Sequence, residues 1–181
     1  MPNRDQAHIT CAAALALLAV GAANAQAPRP QLANPAPEGV RVNEAGVFAN
    51  YLPASGRGKH PGMIVLGGSE GGLGTGSLRD AKALQAHGFN VLQLAYFGAP
   101  EEPDDLADIP LETFDRGLAW LKARSEVDSR RIGVEGASKG AEAALLFAAR
   151  RPEIKAVVVG MPSSVVWQGL RFTGPATSSW T

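Results

Sequence analysis

Gly136-Ala137-Ser138-Lys139-Gly140 fits the pattern G-x-S-x-G. A serine in that frame suits nucleophilic attack on a carbonyl carbon, provided it sits on a sharp turn between a strand and a helix. The pattern alone is weak in a chain with 21 glycines. Its placement carries the argument. Arg131 to Glu135 is a run of strand formers, and a helix-like run follows Ser138 at once. Gly136 and Gly140 relieve the crowding that such an elbow creates. The backbone N–H of Lys139, directly after the serine, is a candidate donor to the oxygen that becomes negative during acyl transfer. The competing reading makes Ser138 a plain helix N-cap.

A second loop belongs to the same chemistry. "LGGSEGGLGTG" (66–76) follows a short apolar run. Glycines there let backbone N–H groups approach a substrate oxygen closely. Ser69 and Glu70 are the candidate donors. A phosphate loop is the rival reading, but no Gly-Lys-Ser/Thr follows and this strand is the third, not the first. The acid and base are harder to find. The expected chain order is serine, then acid, then histidine. No histidine and no aspartate follows Ser138; only Glu142 and Glu153 do, and neither stands where the acid belongs. His60 in a turn and His87 near a helix end read as solvated surface residues. Trp167 and Phe172 read as ordinary packing residues, with pocket lining as the alternative.

The elements that would position these residues can be read in order. "VRVNEAGVFANYLPA" (40–54) suggests two antiparallel strands around Glu44-Ala45-Gly46. "MIVLGG" (63–68) and "NVLQLAY" (90–96) read as strands buried on both faces. "SLRDAKALQAHGF" (77–89) is helical, with Gly88 as a C-terminal cap. "PLETFDRGLAWLKAR" (110–124) is a helix with Pro110 in its first turn. Then come a strand ending at Gly136, a helix over 138–151 and a strand over 154–160. Strands alternating with helices of about a dozen residues imply a mostly parallel sheet with helices on both faces. The order matches the first six strands of an α/β-hydrolase fold, and the sequence is expected to be truncated after about the sixth.

Bulk properties narrow the function. The chain has 181 residues, zero formal net charge, 45% hydrophobic and 19% charged residues. That composition is globular, and no basic excess points to nucleic acid. Residues 1–25 read as a signal peptide, with an apolar stretch too short to span a bilayer and "ANA" at 23–25 predicting cleavage after Ala25. A periplasmic or secreted location is expected, with no membrane span after cleavage. Cys11 is the single cysteine and would leave with the leader, so thiol chemistry and cysteine-based metal sites are excluded. No metal and no cofactor is expected. Residues 26–37 are a Pro/Ala-rich linker, and 38–181 form the domain.

"HPGMIVLGGSEGG", "LAYFG", "IPLETF", "RIGVEGASKGAEAALLFAA" and "IKAVVVGMPSSVVWQGL" together resemble the C-terminal domain of the bile acid-CoA:amino acid N-acyltransferase and acyl-CoA thioesterase family. The resemblance runs from about His60 to Thr181. It implies an α/β-hydrolase with a serine or cysteine nucleophile, cysteine going with amino-acid transfer and serine with thioester hydrolysis. Ser138 at that position implies a hydrolase whose partner is a small-molecule acyl thioester or ester. Two other readings stay open: an exported carboxylesterase of the dienelactone-hydrolase type, and a non-catalytic hydrolase-like binding protein. The latter would suit the missing acid and base. An export leader also sits poorly with acyl-CoA, a cytosolic metabolite.

Overall fold

The computed structural model describes residues 31–35, 37, 39–171 and 174–181. The leader, Cys11, the first part of the linker and Phe172 lie outside the described residues. Eight strands and three helices follow in the order β1 (Gln31–Leu32), β2 (Val40–Glu44), β3 (Val47–Leu52), β4 (His60–Leu66), β5 (Gly72–Leu73), α1 (Thr75–Ala86), β6 (Asn90–Leu94), α2 (Glu112–Lys122), β7 (Val127–Ala137), α3 (Lys139–Arg150) and β8 (Ile154–Gly160).

The main sheet has the order β2-β3-β6-β4-β7-β8. β2, β3 and β6 are joined by antiparallel pairs, and β6, β4, β7 and β8 by parallel ones. The hairpin between β2 and β3 turns at Ala45 (φ 54°) and Gly46 (φ 67°). Two consecutive left-handed residues make the tight turn whose twist matches a two-stranded ribbon. Every residue of β6 is buried, as are the last five of β4. That is why both read as unbroken apolar runs and not as alternating ones.

Alternation along these strands turns successive side chains to the two faces of the sheet. Ile64, Leu66, Leu92, Leu94 and Val134 point to the face covered by α2 and α3, where Phe114, Leu118, Leu121, Ala144 and Phe147 close the larger cluster. Met63, Val65 and Val91 point to the other face and pack with Leu78 and Ala81 of α1. Helices therefore cover both faces, as the strand–helix alternation requires.

Element boundaries differ locally from the sequence reading. α1 starts at Thr75 and ends at Ala86; Gly88 (φ 86°) reverses the chain after it, the role expected of it. α2 starts at Glu112, so Pro110 precedes the helix and does not fill its first turn. β7 begins at Val127, earlier than its β-forming run, because Val127 and Asp128 pair with His60 and Pro61 before a register shift. Residues 31–33, read as linker, lie against the domain. β1 pairs in parallel with β5, and the Ala33 carbonyl accepts from Arg41 (2.7 Å) and Asn50 (3.0 Å).

Candidate active site

β7 delivers Ser138 to the C-terminal edge of the sheet, and α3 begins at the next residue. Ser138 has φ 53° and ψ −117°, a combination almost closed to residues with a side chain. Its N–H donates to the Gly160 carbonyl (2.9 Å), which ties the elbow to the end of β8. A plain N-cap serine would have an extended backbone and an Oγ that accepts from the first turn. Ser138 has neither: its side chain makes no capping bond.

The two flanking glycines are there for space. A Cβ at Gly136 would lie 2.1 Å from the Gly140 carbonyl oxygen, and one at Gly140 would lie 2.3 Å from the Gly67 oxygen and 2.5 Å from that of Leu66. These are backbone atoms and cannot swing aside. The same contacts show how near the β4 loop comes to the elbow. A Cβ at Gly68 would lie 3.3 Å from Ser138 Cβ.

The expected oxyanion donors divide by position. Gly67, Gly68, Glu70 and Ser138 line one hollow of about 190 Å³, together with Ala137 and Met161. Lys139, with Glu142, Pro162, Ser163 and Trp167, lines a second hollow of about 330 Å³, which shares Ser138 and Met161 with the first. Ser69 is exposed and lines neither. Glu70 folds its carboxylate back over the loop, within 2.9 Å of where a Cβ on Gly67 or Gly68 would stand.

Tyr96, at the end of the strand-forming run after β6, was not singled out from the sequence. Its hydroxyl donates to the Gly67 carbonyl (2.7 Å) and lies 3.3 Å from that of Gly68. In a trans peptide the N–H of one residue points away from the carbonyl of the residue before it. Fixing the Gly67 carbonyl therefore fixes the direction of the Gly68 N–H. Burial pushes the Tyr96 phenol above its ordinary range, and the Glu70 and Glu142 carboxylates push the same way. It stays a neutral donor. The signal for it was an aromatic hydroxyl at the C-terminal end of a buried strand, where such folds gather their chemistry.

Glu142 and the Lys139 side chain form the other group that sequence reasoning missed. Glu142 Oε1 accepts from Lys139 Nζ (3.2 Å) and from the Trp180 indole (2.6 Å), and Oε2 accepts from the Trp167 N–H (3.3 Å). Lys139 Nζ also donates to Ser179 Oγ (2.7 Å) and to the Trp167 carbonyl (3.2 Å). The i, i+3 spacing of S-K-G-A-E was the available signal.

The histidines lie elsewhere. His60 pairs with Val127 at one end of β4, while Leu66 pairs with Gly136 at the other. Six residues of strand separate the two ends, roughly 20 Å. His87 caps α1 and contacts the Ala83 carbonyl through Nδ1 (2.7 Å). The expectation of a solvated His60 is corrected: the ring is half-buried and its Nε2 has neither solvent nor a partner, because β4 begins at that residue and draws it in. Among the described residues no group of three or more His, Cys, Asp or Glu could hold a metal ion, and no helix is long and apolar enough to cross a membrane. A larger hollow of about 520 Å³ lies over β2 and Trp120. It is lined by no serine, cysteine or histidine, so volume alone does not mark the site.

A sharp serine turn at the C-terminal edge of a mostly parallel sheet, with helices on both faces, is the architecture of the α/β-hydrolase fold. The fold is shared with the α/β hydrolase GrgF from Penicillium sp. sh18, with a TM-score of 0.57 at 21% identity over 67% of this chain and 44% of that one. Sequence likeness is narrower than likeness of fold. Residues 109–173 match the family described as BAAT / Acyl-CoA thioester hydrolase C terminal. Acyl-coenzyme A thioesterase 6 of Mus musculus is 42% identical over 110 residues, which are 61% of this chain and 26% of that protein. Acyl-coenzyme A amino acid N-acyltransferase 1 of the same species is 39% identical over 110 residues, again 61% and 26%. The chain thus spans about a quarter of the length of these relatives.

Proposed function

We propose that the chain carries the nucleophile of a serine hydrolase that cleaves an acyl thioester or ester. The observation that carries this reading is the backbone of Ser138, held at φ 53° between two glycines that no larger residue could replace. In the proposed reaction Ser138 Oγ gives its proton to an imidazole base and bonds to the carbonyl carbon. The carbonyl oxygen takes the negative charge and is met by backbone N–H groups at 68–70 and Lys139. The bond to the leaving sulfur or oxygen then breaks and the leaving group takes up a proton. Water later releases the acid and restores the serine. Serine, where the family's amino-acid transferases carry cysteine, favours hydrolysis over transfer to an amine.

No described histidine reaches Ser138, so the test supplies imidazole from solution. After exposure to an octanoyl thioester with imidazole, mass spectrometry is expected to find one octanoyl group on the peptide containing Ser138, and none in Ser138→Ala. Equal labelling of the two proteins would refute the assignment.

The relatives named for acyl-coenzyme A support an acyl thioester as substrate class. Export of the protein is a further part of the proposal and rests on residues 1–25 alone. Protein recovered from outside the cytoplasm of the producing cell should begin at Gln26; an intact Met1 there would remove the leader reading.

A further inference from the structure

The segment after β8 crosses the first turn of α3 and forms one wall of the hollow beside Ser138. At Trp167 both main-chain polar groups are held by side chains of that turn. The N–H donates to Glu142 Oε2 (3.3 Å), and the carbonyl accepts from Lys139 Nζ (3.2 Å) and from Ser179 Oγ (2.9 Å). The indole itself is left outside this network; Trp167 is 59% exposed and lines the hollow. Next to it stand Met161, 79% exposed, and Val165 and Val166, each more than half exposed.

The network that does the holding is closed. An ammonium has three donors, and Lys139 directs them at Glu142, the Trp167 carbonyl and Ser179. A carboxylate only accepts, and Glu142 accepts from Lys139, Trp180 and Trp167. The side chains of Lys139 and Glu142 are only 11% and 4% exposed. With its donors committed in this way, the Lys139 ammonium is not free to act on Ser138 Oγ. A buried ion pair is a poor source of net stability, and its best-attested use is to fix one arrangement among several.

We infer that Lys139 and Glu142 are positioning residues, which clamp the main chain of Trp167 so that its indole forms the wall against which the alkyl part of an acyl group lies. This rests on the reading of Ser138 as an acyl-accepting nucleophile. A carbonyl carbon at Ser138 Oγ leaves its chain to run into a hollow bounded by Met161, Pro162 and Trp167. Apolar surface that is exposed in the free protein and covered by an alkyl chain gives affinity that rises with chain length.

The test compares S-methyl-CoA with S-octyl-CoA, thioethers that share a head group and have no carbonyl to attack. Wild type should bind the octyl compound roughly tenfold or more tightly than the methyl compound. Trp167 emission, isolated by subtracting the spectrum of Trp167→Phe, should move to shorter wavelength with the octyl compound only. Trp167→Ala should lose the preference for the longer chain. So should Lys139→Met/Glu142→Gln, which removes both charges together and leaves no orphaned ion. If that double variant fails to unfold cooperatively, Ser179→Ala removes one tie to the Trp167 carbonyl and should lower the preference partway. The inference is overturned if wild type shows no chain-length preference, or if a folded clamp variant keeps it in full. Ser138→Ala should keep the preference. A chain that prefers the octyl compound yet is never acylated at Ser138 would sink the nucleophile reading and leave the clamp standing.

Discussion

At Ser138 the backbone conformation costs on the order of 1–3 kcal/mol and is held by what surrounds it: the bond from its N–H to Gly160, the close approach of Gly136 to Gly140, and the seat of Gly140 on the carbonyls of β4. A second residue is held at a cost in the loop between β6 and α2. The side chain of Glu102 is only 5% exposed, and its nearest cation, Arg116, is 4.0 Å away. Burial lifts its carboxyl from 4.5 to about 7; Arg116 opposes the rise and Glu101 adds to it. The folded state therefore holds this proton more tightly than the unfolded chain does. Its contribution to stability is complete below about pH 4.5 and is lost as pH rises to about 7. Glu102→Gln should remove this dependence, a difference of at most about 3 kcal/mol across the window. Urea unfolding of wild type and variant at several pH values between 4.5 and 8 checks it. Parallel curves with a constant offset would mean that Glu102 titrates normally.

At the scale of elements, what was readable and what was not divide by range. β4, β6 and β8 stood out as short apolar runs, and α3 as a helix beginning directly after a serine, because burial on both faces and local backbone geometry leave their mark in consecutive residues. The elbow was readable for the same reason: G-A-S-K-G encodes its own steric needs within five positions. Tyr96 was not, since nothing local says that its hydroxyl meets a carbonyl 29 residues earlier in the chain. Nor was the role of Trp180, whose indole stacks near Tyr96 and Phe114 and donates to Glu142. The β1–β5 pair was missed because two residues carry no periodicity. Glu142 shows the limit most clearly. Considered as a triad acid it was in the wrong place; its partners Trp167 and Trp180 come from a segment whose path only the folded chain reveals.

The whole molecule is asymmetric from one edge of the sheet to the other. At one edge β2 is short, polar and tightly hairpinned, which discourages further pairing. At the other, β8 pairs with β7 alone among the described strands and carries Val157 (39% exposed) and Val158 (55% exposed). Val158 is paired in register with Glu135 on the face that α1 covers only further along the sheet, over β3, β4 and β6. Burial and the Asp80 carboxylate both raise the Glu135 carboxyl, and its Oε2 has no partner. An unpaired edge with an apolar face is a template for another strand. The 181-residue chain is therefore expected to self-associate and to bind a hydrophobic dye. Val158→Lys should reduce both, since it places a cation beside the orphaned Glu135 oxygen and a charge on the open edge. It lies outside both hollows that flank Ser138. Sedimentation velocity over a concentration series, with dye fluorescence on the same samples, makes the comparison. A wild-type chain that sediments as a single monomeric species at every concentration would show that this edge is not adhesive. Association that Val158→Lys leaves unchanged would move the contact to another surface, with the exposed Met161 and Val165 the next to substitute.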